Sequence, residues 1–465
     1  MTKQNDPYLT QTDLLSWRME RDPVLRSTIV AVALLDRAPD WGGFVRMMER
    51  GTSVVPNFRN KVLSSSFGLS PPRWVVDPDF DLSWHLRRAI VPSPGGIGAV
   101  LDLARTAGMT AFDKDRPLWE FTVLEGLPDG RAALVMKVHH ALTDGVGGMQ
   151  IANEIVDFSR SGTDRGPDPQ AVPAEGGGQR SPSRTGLWSL HTGMRLLSRA
   201  SSAPVGMSRA LTTPIATARR VAAVTGSVAR FTRPVTKTLS PIMVERSTRR
   251  QFAVVDVPLD DLRRAAGACH CTMNDAFLAA VLLGLKRYHA VHGAEACELS
   301  VTLPMSLRVD SDPLGGNRIT LARFTLPLVE SDPGELVRVV GRTVATWRDE
   351  PAVGHSSSIA AVLNLLPASI LGTMLKHVDF VASDVPGPTV PLYLAGAKIC
   401  EYYAFSPTLG AAFNTTLLSY SGRCFIGINV DCAAVPDVSI LVRSLAGGLR
   451  TVGELGTSDS PSASR

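Results

Sequence analysis

The chain has little of what marks membrane insertion, secretion or nucleotide binding. No run of about 18 strongly apolar residues occurs. The nearest stretch, Ser356 to Leu375, is uncharged but holds Asn364, Pro367 and Gly372, which predicts a buried helix pair rather than a span. No apolar stretch follows Lys3, so no signal peptide is expected. Cysteine is sparse: Cys269, Cys271, Cys297, Cys400, Cys424 and Cys432 all lie in the C-terminal half without framework spacing, which predicts free thiols. Cys269-His270-Cys271 is too tight to form a tetrahedral site alone, and no second ligand pair completes it, so no metal is expected. The G-x-G-x-x-G fingerprint is absent. Basic residues exceed acidic ones by 48 to 43, an excess too small to predict nucleic-acid binding.

What is present describes a large folded body. At 465 residues the chain is too long for one ordinary core, and 44% hydrophobic with 20% charged residues is a globular composition. Strand and helix patterns alternate through residues 1–158. Ser27 to Leu35 reads as a buried strand and Trp41 to Arg50 as a helix. Leu118 to Leu127 and Arg131 to Val138 read as antiparallel strands joined at Pro128-Asp129-Gly130. Residues 159–186 are rich in Gly, Pro and Ser and read as a flexible linker. Residues 187–249 form a crossover. Its part from Leu187 to Lys237 carries Arg195, Arg199, Arg209, Arg219, Arg220, Arg230, Arg233 and Lys237 with no acidic residue. Such a basic, partly apolar segment suits either an anionic lipid surface or a solvated crossover.

The α/β rhythm resumes over residues 250–455. Strands are expected at Gln251 to Val257, Leu299 to Leu303, Arg318 to Leu328 and Val378 to Ser383, and helices at Asp260 to Ala268 and Met273 to Val291. Thr416 to Cys432 reads as a hairpin turning at Ser421-Gly422. A last helix runs from Val438 to Leu449 with Asp437 at its N-cap, and residues 456–465 read as a disordered tail.

The chemistry concentrates at His139-His140-Ala141-Leu142-Thr143-Asp144-Gly145. Two histidines close a strand, and an Asp-Gly pair leads into a helix over Val146 to Phe158. Adjacent strand residues point to opposite faces, so only one histidine can serve a reaction centre. A strand-end histidine facing a cleft is well placed as a general base. Asp144 can turn inward to brace the loop against an arginine. Gly145, Gly147 and Gly148 permit close backbone approach or positive φ.

This pattern resembles the HHxxxDG motif of the CoA-dependent acyltransferase superfamily, which includes chloramphenicol acetyltransferase and peptide-synthetase condensation domains. More narrowly it is similar to the bacterial wax ester synthase/diacylglycerol acyltransferase family. Pro117-Leu118-Trp119-Glu120, Asn274-Asp275, Pro304-Met305-Ser306-Leu307-Arg308, Gly316-Asn317 and Ser383-Asp384-Val385-Pro386-Gly387-Pro388 follow that family's order. Asp384 departs from it, standing where the family has asparagine. The resemblance implies an α/β fold of two chloramphenicol-acetyltransferase-like subdomains with mixed sheets around a central cleft or tunnel.

By the same resemblance His140 is the general base and His139 supports the loop. Asp144 is a structural brace with Arg308 or Arg318 as partner, and Gly145 allows the turn. Asn274, Asp275, Ser383 and Asp384 line the active site, although Asn274 also suits a helix cap and the Pro-Gly turn suits backbone placement. The implied reaction moves a fatty acyl group from acyl-CoA, a co-substrate rather than a cofactor, to diacylglycerol or a long-chain alcohol. Other hydroxylated acceptors, such as an envelope lipid or polyketide alcohol, remain open, as does a weakly active lipid-surface binder. The expected location is cytoplasmic, peripheral to the inner membrane or lipid droplets.

Overall fold

A computed structural model describes residues 8–64, 71–165, 237–308, 316–328, 332–350, 356–364, 366 and 376–456. Most of the linker, nearly all of the basic segment and the tail lie outside the described residues. The first half contains α1 (Gln11–Met19), β1 (Thr28–Leu35), α2 (Trp41–Val54), β2 (Asn60–Leu63), β3 (Arg73–Val76), α3 (Leu82–His85), β4 (Leu86–Ile90), α4 (Ile97–Met109), β5 (Trp119–Glu125), β6 (Ala132–His139) and α5 (Gly145–Ile155). The second contains β7 (Arg250–Pro258), α6 (Leu259–Ala268), α7 (Met273–Val291), β8 (Glu298–Ser306), β9 (Ile319–Pro327), α8 (Pro333–Arg348), α9 (Ser356–Leu363), β10 (Phe380–Val385), β11 (Tyr393–Leu394), β12 (Ala397–Phe405), β13 (Phe413–Tyr420), β14 (Arg423–Asp431) and α10 (Val438–Gly453).

Two six-stranded mixed sheets organise these elements, as an α/β fold of two units requires. One has the order β11-β12-β1-β6-β5-β4 and the other β7-β14-β13-β10-β8-β9. The continuous apolar run of β1 marks a strand covered on both faces. Its neighbours are β6 on one side and β12 on the other, paired from Val30↔Phe405 to Leu34↔Glu401. Two strands from the second half of the chain thus complete the sheet of the first half. Nothing in the strand patterns signals this exchange. It protects an otherwise exposed hydrophobic edge.

Local chemistry explains most element ends. Asp40 caps α2 by accepting from the Gly43 amide at 2.6 Å, and Phe44, Met47, Met48 and Gly51 give it one buried stripe. Both turn residues of the β13–β14 hairpin, Ser421 (φ 45°) and Gly422 (φ 83°), are left-handed, the geometry of a type I′ turn. The Ser356 to Leu375 stretch begins with α9, and residues 367–375 lie outside the described set. Asp437 stands at the N-cap position of α10 but does not cap it. Its carboxylate accepts instead from the Tyr288 hydroxyl at 2.7 Å and meets His292 Nε2 at 2.6 Å, tying α10 to α7.

The two sheets meet where Phe252 of β7 stacks on Phe405 of β12, ring centroids 4.3 Å apart and 2° from parallel. Both rings are buried. Phe405→Ala should therefore cost about 3–5 kcal/mol through the cavity left at this seam, measured as a shift in urea or thermal unfolding. A loss below about 1 kcal/mol would mean the stack does not hold the halves together.

Candidate active site

The histidine pair lies where β6 leaves the first sheet. The His140 amide donates to the Ser27 carbonyl at 2.8 Å, just before β1 begins, and the His139 amide donates to the Leu118 carbonyl at 3.0 Å. Strand alternation then sorts the side chains. Met136 and Val138 line an apolar cavity, while Lys137 and His139 take the opposite face.

His139 is fully buried between Trp17 and Phe112, both edge-on to its ring. Its Nδ1 accepts from the Ala141 amide at 3.0 Å, so a proton sits on Nε2, 3.4 Å from Glu20 Oε1. Burial alone would raise the Glu20 carboxyl. His139, the Ser27 amide and Arg26 instead hold it below its ordinary value. With its ring held edge-on between Trp17 and Phe112 and its Nδ1 taken by the Ala141 amide, His139 fixes the loop. Glu20 carries no sequence signature and is the residue of this site that motif reading misses.

His140 is different. Its ring is half-buried, and its Nδ1 is buried with no hydrogen-bond partner. Desolvation pushes its pKa down. The Asp144 carboxylate and its own main-chain carbonyl pull it back, His139 pushes it further down, and the net shift is downward. The ring is therefore neutral at neutral pH and able to accept a proton.

Asp144 is 1% exposed and fully committed. Oδ1 caps α5 by accepting from the Gly147 amide at 2.7 Å, and Oδ2 accepts from Arg308 Nη2 at 3.1 Å and the Arg318 amide at 2.8 Å. Both arginines named by the sequence thus reach Asp144, Arg308 by its guanidinium and Arg318 by its backbone. The Gly316 amide donates to the Leu142 carbonyl at 2.7 Å, clamping the second half onto the motif loop.

Gly145 is the first residue of α5 and is not at positive φ, so the turn does not explain it. A Cβ there would stand 2.8 Å from Val385 Cγ2, and one on Gly147 would stand 2.6 Å from Arg308 Nη2. Close approach by the second half is what excludes side chains here.

The other expected site residues are not gathered at this loop. Thr272, not Asn274, is the N-cap of α7, and Asp275 closes its capping box through Oδ2. Neither Asn274 nor Asp275 lines the apolar cavity. On β10, Val385 faces the motif loop and packs in the first core, so Ser383 shares that face. Asp384 points the other way. It pairs in register with Leu417, a residue of the second core, and acts electrostatically on Cys424. The expectation that Asp384 lines the cleft is corrected by this alternation. Its Oδ1 is buried without a partner, and desolvation pushes its pKa up to about 6.

The apolar cavity encloses about 1090 Å³ with its mouth. It lies between the first sheet and helices α2 and α5, walled by residues such as Phe44, Met48, Phe58, Phe121, Met149 and Ile155. Thr143, Asp144 and Gly145 of the motif loop are part of its wall. Among the described residues no group of His, Cys, Asp and Glu could hold a metal ion.

Two substitutions read these environments. Asp144→Ala breaks the buried pair with Arg308 and removes the cap of α5, and should cost about 3–5 kcal/mol, seen as a lower melting temperature and soluble yield. Asp384 ionises at its ordinary 3.8 when unfolded and at about 6 when folded. Its penalty is absent below the first value, grows between the two and is complete above the second. Asp384→Asn should accordingly stabilise the protein by ~3 kcal/mol at pH 7.5, the gain vanishing toward pH 4. An equal gain at both pH values would contradict the buried ionisation.

Comparison with known proteins places this geometry. The sequence profile of the wax ester synthase/diacylglycerol acyltransferase catalytic domain matches residues 9–277, and that of the family's C-terminal domain matches residues 315–452. A Mycobacterium tuberculosis H37Rv protein, provisionally named diacylglycerol O-acyltransferase Rv2484c, is 35% identical over 95% of this chain and 90% of its own length. The similarly named Rv1760 is 28% identical over 86% and 80%. The solved wax ester synthase/diacylglycerol acyltransferase of Marinobacter aquaeolei VT8 superposes with a TM-score of 0.61 at 22% identity, covering 97% of this chain and all of that one. A condensation domain of the calcium-dependent antibiotic synthetase superposes at 0.62 with 15% identity, covering 98% and 97%, and so shares the fold. On the profile matches and the 35% identity together, the chain belongs to the wax ester synthase/diacylglycerol acyltransferase family.

Proposed function

We propose that this chain transfers a fatty acyl group from acyl-CoA to the hydroxyl of diacylglycerol, giving triacylglycerol, or of a long-chain alcohol, giving a wax ester. The observation that carries this reading is a neutral, desolvated His140 beside a motif loop that also lines a large apolar cavity. Each acyl methylene buried in such a cavity contributes about 0.8 kcal/mol, so the cavity suits the acyl tail.

In the proposed step the acceptor hydroxyl gives its proton to His140 as its oxygen bonds to the thioester carbonyl carbon. The tetrahedral intermediate collapses, the C–S bond breaks, and the proton passes from His140 to the leaving thiolate to give free CoA. No acyl-enzyme is required, because the thioester is already activated. Asp144 and His139 act by holding the loop. Exclusion of water matters here, since hydrolysis competes with transfer.

Among the described residues no single helix is long and apolar enough to cross a membrane. Peripheral contact with a lipid surface is proposed through the basic segment from Leu187 to Lys237. Deleting that segment should reduce flotation with anionic liposomes; unchanged flotation would count against it. Asp384 does not argue for a degenerate, binding-only protein, because it faces away from the motif loop.

The direct test gives the purified protein palmitoyl-CoA with diacylglycerol or hexadecanol in separate reactions. Ester product with release of free CoA is expected from at least one. Release of CoA without ester would mean that water takes the acyl group, and no release of CoA with either would favour another acceptor. The acid limb of kcat/KM should fall below the ordinary histidine value of 6.5, because burial lowers the His140 pKa. A limb above that value would mean a different group titrates.

A further inference from the structure

The apolar cavity follows β6 away from the motif loop, since Val138, Met136 and Leu134 all line it. Strand pairing sets what stands beside them. Met136 pairs with Ala31 and Ala31 with Ala404, while Leu134 pairs with Ala33 and Ala33 with Tyr402. The two alanines of β1 leave space between the flanking strands. Across it the Tyr402 hydroxyl meets the Met136 thioether, Oη to Sδ 4.0 Å, and both residues line the cavity.

That contact is a poor one for a buried phenol. Among the described residues four tyrosines are buried: Tyr288, Tyr402, Tyr403 and Tyr420. Three of them donate to oxygen, Tyr288 to Asp437 at 2.7 Å, Tyr403 to Glu401 at 3.0 Å and Tyr420 to the Ile399 carbonyl at 2.9 Å. Tyr402 has a thioether instead, which is a weak acceptor. Thr143, on the same cavity wall, spends its hydroxyl on the Asp144 carbonyl at 3.0 Å. Burial pushes the Tyr402 pKa up to about 12, with Tyr420 adding to the rise, so the phenol stays a neutral hydrogen-bond donor at neutral pH.

Phenylalanine would fill this wall without desolvating a hydroxyl. Buried polar groups are nearly always paired, so a phenol left with a thioether on a cavity wall points to an oxygen on the occupant. A plain polymethylene chain offers none. A keto, epoxide or hydroxyl oxygen on that chain accepts from it.

Distance selects the place on the chain. Met136 precedes His140 by four residues, or about 13 Å of strand. A fully extended chain advances about 1.2 Å per bond, so an acyl group whose thioester carbonyl stands at His140 passes Tyr402 at roughly carbons 10–13.

We propose that Tyr402 is a specificity-determining residue that donates to a mid-chain oxygen, so that the apolar cavity takes fatty acyl groups oxygenated near their middle. The inference rests on the acyl-CoA reading above and adds a substrate class to it.

The test compares three acyl-CoA substrates of one length, with the acceptor held constant: stearoyl-CoA, 12-oxostearoyl-CoA and 5-oxostearoyl-CoA. A keto group accepts a hydrogen bond but, unlike a hydroxyl, cannot itself be acylated. Wild-type kcat/KM should favour the 12-oxo chain over the 5-oxo chain by about tenfold or more. Tyr402→Phe should lower the ratio of 12-oxostearoyl-CoA to stearoyl-CoA about tenfold and leave the ratio for the 5-oxo chain where it was. Its melting temperature should not fall, because only the thioether contact is lost. An unchanged 12-oxo ratio in the folded variant would overturn the proposal while leaving acyl transfer intact. So would an equal fall for both oxo chains. A change confined to the preference between diacylglycerol and hexadecanol would also overturn it, since an acceptor carbonyl would then stand at Tyr402. Failure of the wild-type protein to turn over any of the three would remove the acyl-CoA reading, and this inference with it.

Discussion

One buried carboxylate holds the candidate site together. Asp144 divides its two oxygens between the halves of the molecule: one caps the helix after the histidines, and the other takes Arg308 and the Arg318 amide. The motif loop therefore has its observed shape only when the second half is docked. The pair is nearly inaccessible to water, where breaking an ion pair is far more costly than at the surface. Gly145 and Gly147 belong to the same constraint, since side chains there would meet Val385 and Arg308. The signature spacing of the motif reads as the footprint of an interface as much as of a reaction.

A second constraint follows from the period of a strand. On β6, Met136 and Val138 face an apolar cavity, while Lys137 and His139 face a polar layer. The adjacent histidines inherit this division. His139 is absorbed into the opposite face, its Nδ1 taken by the Ala141 amide and its Nε2 turned toward Glu20, whereas His140 leaves the strand end with a neutral, desolvated ring. Two chemically similar residues acquire different tasks from one residue of register.

Much of this was legible in the sequence where local physics decides. The bounds of α7 follow its apolar run, and the Ser421-Gly422 turn follows its residue types. The pairing of Asp144 follows from its place in the motif. What was not legible depends on tertiary partners. The insertion of β12 beside β1 joins residues far apart in sequence, and no pattern within either strand names the other. Asp384 was expected in the cleft because it sits in a recognisable motif, but its face is set by register with Leu417. Asn274 yields the cap of α7 to Thr272, and Asp437 yields its capping role to Tyr288 and His292. Glu20 is found only once the fold brings it to His139.

The account stands on His140 as the base in acyl transfer, and the most direct measurement is product formation by His140→Ala beside its thermal unfolding. Loss of ester formation by about 10²–10⁴-fold with an unchanged melting temperature is the result expected. The ring makes no side-chain hydrogen bond that the fold requires, so its removal should spare stability. Wild-type turnover by the folded variant would contradict the assignment of the base, and with it the mechanism built on this loop.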